Sequence, residues 1–251
     1  MVHLGPLPGS PSAGDFDAVL RAALTDADAL LDAGFDGLVV ENFGDVPFHR
    51  DAVEPITVAA MARVASALVE RSAGRARLCI NVLRNDARSA LAIAAACGAD
   101  SIRVNVHSGA RWTDQGLIEG RAAETMRLRR AWGPDVAVWA DAAVKHSTGA
   151  GFPPRPVAEE IEELTGRGGA DAVIITGAST GRAADPQVLA AAIDAAHGVP
   201  VLVGSGVTLD TIAELLVQAD GVIVGTALKV GGVTTGPVDP SVARAFVAAV
   251  S

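Results

Sequence analysis

Two cysteines, Cys79 and Cys97, are all the thiol the chain carries. That is too few for a disulfide framework, and no Cys/His cluster has the spacing of a structural zinc site. Both thiols are expected to be buried and free, which fits a cytoplasmic protein. No apolar run approaches the ~18 residues of a membrane span, and no signal-peptide pattern opens the chain. Positive charge is scarce too: 20 Lys and Arg stand against 29 Asp and Glu, for a net charge of −9. That balance argues against nucleic acid as a partner. It leaves small anions open, because backbone amides can hold an anion on an acidic protein. The GxGxxG fingerprint is missing after the first strand, which disfavours an open doubly wound sheet.

What is present is a regular alternation of strand and helix over 251 residues, half of them hydrophobic. Strands are expected at 2–4, 37–41, 78–83, 101–106, 136–141, 172–176, 201–204 and 221–224. Helices are expected at 15–33, from Pro55, at 87–97, 121–132, 157–167, 186–197, after Thr208 and after Asp239-Pro240. Helical spacing of Val19, Leu20, Ala23, Leu24, Ala27, Leu30 and Leu31 defines the first helix, and Gly34 stops it. Eight such units, with no linker or low-complexity tract, predict an α/β protein folded as one (β/α)₈ TIM barrel over 1–251. Long loops are expected at 107–119, long enough to close over a ligand, and from strand five to Pro156.

The stretch PVLVGSGVTLDTIAELLVQADGVIVGTALK, 200–229, carries the clearest chemistry. Two strands each end in a Gly-rich turn, Gly204-Ser205-Gly206 and Gly225-Thr226. In barrels of this class the loops after strands seven and eight frequently cradle a phosphate. The alternative is that these glycines serve only tight turns. Thr208 is the expected cap of the next helix, with Asp210 in its first turn. Lys229 reads either as a phosphate partner or as an exposed cation. Thr176 and Gly177, with Thr180-Gly181, end strand six and can add contacts to the anion.

Alternation along strands predicts which polar side chains enter the barrel. If Ile102, Val104 and Val106 lie under the helices, Arg103 and Asn105 point inward. The same parity turns Asn81, Glu41, Asp141 and Thr176 inward and leaves His3 near the mouth. Such a ring at strand C-termini is a candidate active site. The alternative is an internal salt bridge, Arg103 with Glu41 or Asp141, that only supports the barrel. Lys145 and His146, just past strand five, suit anion binding, Schiff-base chemistry or proton transfer. Asn42, Arg84, Asn85, Asp114, Gln115 and Glu119 are further loop candidates, and Asp86 reads as a helix cap. His49, His107 and His197 belong to no constellation. Mg²⁺ is the one cofactor the Glu41–Asp141 pair leaves open.

Together these residues resemble the BtpA family. The matching stretches are VHLGPLPGSP (2–11), DGLVVENFGDVPF (36–48), NVLRNDA (81–87), IRVNV (102–106), TDQGLIEG (113–120), VKH (144–146) and PVLVGSGVT (200–208). One departure is Ala143, where a polar residue is expected before VKH. The resemblance implies a phosphate-binding barrel. It also implies two functional readings: a role on sugar- or nucleotide-related phosphometabolites, or, as for photosynthetic members, assembly of photosystem I. The first reading has the glycine turns hold the phosphate while Glu41 and Asp141 act as acid, base or oxocarbenium stabiliser, with Lys145 and His146 assisting. A homo-oligomer is compatible with this fold, though no interface stripe stands out.

Overall fold

The computed structural model describes residues 1–142, 148–149, 155–176 and 185–250. The strands are β1 (Val2–His3), β2 (Gly37–Glu41), β3 (Arg77–Asn81), β4 (Ser101–Val104), β5 (Ala110–Thr113), β6 (Gly116–Glu119), β7 (Ala137–Ala142), β8 (Thr148–Gly149), β9 (Ala172–Thr176), β10 (Val201–Gly204) and β11 (Gly221–Ile223). The α-helices are α1 (Phe16–Ala33), α2 (Pro55–Ser72), α3 (Ala87–Cys97), α4 (Ala122–Trp132), α5 (Val157–Glu162), α6 (Pro186–Ala196), α7 (Ile212–Gln218) and α8 (Pro240–Ala248). Eight strands pair in parallel in the order β1-β2-β3-β4-β7-β9-β10-β11. The Met1 amine donates to the Val224 carbonyl at 2.9 Å, drawing the two ends of this sheet together. The fold is a (β/α)₈ barrel.

Two apolar layers follow from strand alternation. Leu38, Val40, Leu78, Ile80, Ile102, Val104, Val138 and Ala140 pack with the helices in the outer layer. Met1, Val39, Cys79, Ile174 and Ile223, with Trp139 and Leu202, fill the barrel interior. That interior plug leaves room for polar side chains only at strand ends, which is where Glu41, Asn81, Arg103, Asn105 and Asp141 lie.

Capping residues set the helix starts. Asp15 accepts from Asp17 N, Asp86 from Ser89 N, Asp185 from Gln187 N and Asp239 from Ser241 N. Each satisfies an amide with no partner inside its helix. At the opposite, N-terminal face of the barrel, one device recurs three times. Asp100, Asp171 and Asp220 each accept from the amide of the preceding sheet strand, at Leu78 (2.7 Å), Val138 (2.8 Å) and Val201 (2.8 Å).

Three expectations need correction. Residues 107–119 are not a plain loop: β5 and β6 form a hairpin closed by Asp114-Gln115, and β5 also pairs with β8. Gly116, at φ +92°, permits the tight turn. The cap of α7 is Thr211, not Thr208, and Asp210 precedes the helix; the Thr211 hydroxyl accepts from the Thr208 amide at 3.0 Å. The fifth helix is α-helical only to Glu162 and continues as a π-turn over Glu163–Arg167. Cys79 is buried as expected, whereas Cys97 is half-buried.

Candidate active site

A cleft of about 690 Å³ opens at the C-terminal ends of the barrel strands. Of the side chains expected there, Glu41, Arg103, Asn105, Asp141, Thr176, Ser205, Gly206, Gly225 and Thr226 line it. Lys145, His146, Gly177, Thr180 and Gly181 lie outside the described residues. Asn81 and Gly204 are not on its wall. Asn81 sits one layer deeper, donating to the Asn105 side-chain oxygen at 3.2 Å and to the Arg103 carbonyl at 3.1 Å. A Cβ on Gly204 would come within 2.7 Å of Ile174 Cγ2, so this glycine serves interior packing.

One wall of the cleft is a fixed ion pair. Arg103 donates through Nε and Nη2 to the two oxygens of Asp141, at 2.8 and 2.9 Å. Asn105 adds a third bond to Asp141 at 2.8 Å. This bidentate geometry gives both strength and direction. Burial disfavours the guanidinium charge, but Asp141 more than offsets it, so the Arg103 pKa lies above its ordinary value. Asp141 therefore acts by aiming Arg103. A Mg²⁺ ion shared by Glu41 and Asp141 would have to displace the guanidinium from both Asp141 oxygens.

Among the described residues Glu41 has no such bidentate partner. Burial raises its pKa; Arg103 opposes that shift and the Asp141 charge reinforces it. His3 places Nε2 3.9 Å from Glu41 Oε1. The His3 ring stacks at a tilt on Phe43, 4.9 Å between centroids, and Nδ1 lies 3.1 Å from the Thr234 carbonyl. A carbonyl only accepts, so Nδ1 carries the proton and Nε2 presents a lone pair toward Glu41. Burial, then neighbouring positive charge, holds the His3 pKa at about 3. The imidazole is neutral near pH 7, and burial shifts Glu41 toward its protonated form.

The other wall is backbone. Ser205 and Gly206 both adopt positive φ, +87° and +71°. Thr226 and Ala227 begin a 3₁₀ turn, Thr226–Leu228. Among the described residues the amides of Gly206, Thr226 and Ala227 have no backbone hydrogen-bond acceptor, whereas the parallel register of β10 on β11 turns the Ser205 amide toward the Ile223 carbonyl and leaves its side chain to the cleft. First-turn amides and successive positive-φ residues are common anion sites. Gly225 keeps this turn close to the floor, since a Cβ there would lie 3.4 Å from His3 Cε1. The Thr226 hydroxyl bonds that of Thr234 at 2.9 Å, so the residue that orients His3 also touches the cradle.

Lys229 is neither a phosphate partner nor exposed. Its ammonium is fully buried and donates to Asp26 at 2.6 Å, while the second Asp26 oxygen accepts from the Val238 amide at 2.8 Å. Asn42 and Asn85 are loop clamps: Asn42 accepts from Leu83 N at 2.7 Å, and Asn85 accepts from Val106 N at 2.7 Å. Asp86 caps α3 as expected. His107 bonds the Gly168 carbonyl at 2.9 Å, and His197 ends α6. Arg84 and Asp114 do line the cleft. Residue-by-residue reasoning missed Phe43, Phe48, Ala227 and Thr234; a pair of phenylalanines straight after a strand end was the available signal.

Known proteins share this chain's architecture and sequence. Orotidine 5'-phosphate decarboxylase from Pyrococcus horikoshii superposes with a TM-score of 0.59 at 17% identity, over 92% of this chain and 94% of that one. N-(5'-phosphoribosyl)anthranilate isomerase from Pyrococcus furiosus superposes at 0.56 and 15%, over 90% and 92%. These likenesses concern the fold. In sequence, the Photosystem I biogenesis protein BtpA of Synechocystis sp. is 44% identical over 252 residues, spanning 100% of this chain and 86% of that protein. The BtpA family model matches residues 1–251, and the chain belongs to the BtpA family.

Proposed function

We propose that the protein is an enzyme acting on a small phosphate monoester, with proton transfer by Glu41 at a sugar carbon or its substituent. The observation that carries this reading is the layout of one cleft: three acceptor-free amides on one side, and Glu41, His3 and Arg103 on the floor. Solved barrels of the same fold, named for phosphoribosyl and 5'-phosphate substrates, support it. The amides of Gly206, Thr226 and Ala227, with the Ser205 hydroxyl, hold the phosphate, and Thr176 borders it. Glu41, shifted by burial toward its protonated form, donates to the departing or rearranging oxygen or nitrogen and takes the proton back from the attacking or rearranging group. Arg103, aimed by Asp141 and Asn105, stabilises negative charge that develops in the transition state. Lys145 and His146 are assigned as assisting groups.

The test is binding of ribose 5-phosphate by calorimetry to the intact protein and to Ser205→Asp and Thr226→Asp, with folding checked by circular dichroism. A carboxylate in the cradle should weaken binding at least tenfold. Saturable binding that both variants retain unchanged would sink the proposal. A second reading, a non-catalytic assembly factor, is favoured by the name of the Synechocystis relative. It requires a surface partner whose capture survives Glu41→Gln combined with Ser205→Asp.

A further inference from the structure

The proposed phosphate site occupies only one side of the cleft, and the wall beyond His3 has a different chemistry. The chain is poor in aromatics: six Phe, three Trp and no Tyr in 251 residues. Two of those six, Phe43 and Phe48, stand half-buried on the cleft wall beside Leu83. Phe43 and Phe48 follow β2, which round the closed ring of eight lies three places from β10 and two from β11, the strands that lead into the cradle. The His3 ring, stacked on Phe43 and next to Gly225, stands between the two. The aromatic wall therefore flanks the cradle across His3.

The wall is also held in place. The Asn42 side chain bonds the Leu83 amide at 2.7 Å and the Asp45 carboxylate at 3.1 Å, and Asp45 accepts from the Leu7 amide at 2.8 Å. Three loops are thus tied around Phe43. Large aromatic rings fixed at the rim of a cleft, and not packed in the core, mark a surface built to meet a flat apolar ligand face. The cleft, about 690 Å³, is far larger than a phosphate needs and matches the size of ordinary small-molecule sites.

Resting on the phosphate reading above, we infer that the ligand is a nucleoside 5'-monophosphate, its phosphate on the Gly206, Thr226 and Ala227 amides and its base on the Phe43/Phe48 wall. The sugar then bridges the floor, within reach of Glu41. Base–aromatic stacking adds tenfold or more in affinity when one face is covered.

Calorimetry with AMP, GMP, CMP and UMP, alongside ribose 5-phosphate, tests this on the intact protein. At least one nucleotide should bind ten or more times tighter than ribose 5-phosphate. Phe48→Leu and Phe43→Leu, which keep the wall apolar and spare the fold, should shrink that margin to about threefold or less and leave ribose 5-phosphate binding unchanged. Ribose 5-phosphate binding as tightly as all four nucleotides would overturn the base site while leaving the phosphate reading intact. Failure of all five ligands to bind would overturn both.

Discussion

At the residue scale the account turns on the protonation of two buried neighbours. Glu41 has a pKa above its ordinary 4.5 in the folded state, so the folded chain holds that proton more tightly than the unfolded chain. Its contribution to stability is therefore complete below pH 4.5 and is lost as pH rises through the folded value. Glu41→Gln should stabilise the protein relative to the parent, by a margin that grows as pH rises above 4.5, while abolishing turnover; urea titrations at several pH values would show it. His3 has the opposite sign. Its folded pKa of about 3 lies below the ordinary 6.5, so parent stability falls as pH drops from 6.5 toward 3. His3→Gln should flatten that acid limb, and an unchanged slope would place the sensitivity elsewhere. Asp141→Asn strands the Arg103 charge in a buried site and should cost about 3–5 kcal/mol in chemical denaturation.

At the element scale the chain was legible where a local rule decides. Asp15, Asp86 and Asp239 were read as starting helices, and each side chain accepts from its first-turn amides. The period-two parity of β2, β3 and β4 separated interior from outer layer, because one face must meet helices and the other the barrel axis. The β5–β6 hairpin was not legible: its four-residue strands carry no sustained alternation, and its pairing with β8 joins segments far apart in sequence. Thr208 was expected to cap through its hydroxyl, but the turn places Thr211 at the helix start and uses the Thr211 hydroxyl to accept from the Thr208 amide, so neither side chain caps a first-turn amide of α7. The Asp100, Asp171 and Asp220 device was missed for a similar reason, since its acceptor and donor sit on different strands. Asp220→Ala leaves the Val201 amide without its carboxylate and should cost about 1–3 kcal/mol of unfolding free energy, read by urea titration. Because that bond lies at the face remote from the cleft, ligand affinity should not change.

At the scale of the whole molecule the composition and the site pull in different directions. A net charge of −9 repels anions at long range, yet the cleft offers amides and Arg103, whose reach is short. The inward polar ring was legible from parity, but the division of labour within it was not. Distances were needed to see Asp141 committed to Arg103 and Glu41 left with His3. Likewise Lys229 read as an anion partner from its position next to the cradle, and only the fold brings Asp26 to it from α1, 203 residues earlier. Lys229→Met leaves Asp26 as an unpaired buried charge and should lower stability by about 3 kcal/mol or more. Phosphate, by contrast, should raise the melting temperature, with a rise that becomes logarithmic in phosphate concentration above its Kd.

The most direct measurement is a crystal structure of the protein grown with inorganic phosphate. The account expects the anion in the mouth of the barrel, within hydrogen-bond distance of the amides of Gly206, Thr226 and Ala227. An empty cradle with phosphate bound elsewhere on the surface, or a cradle filled by the protein's own side chains, would contradict it.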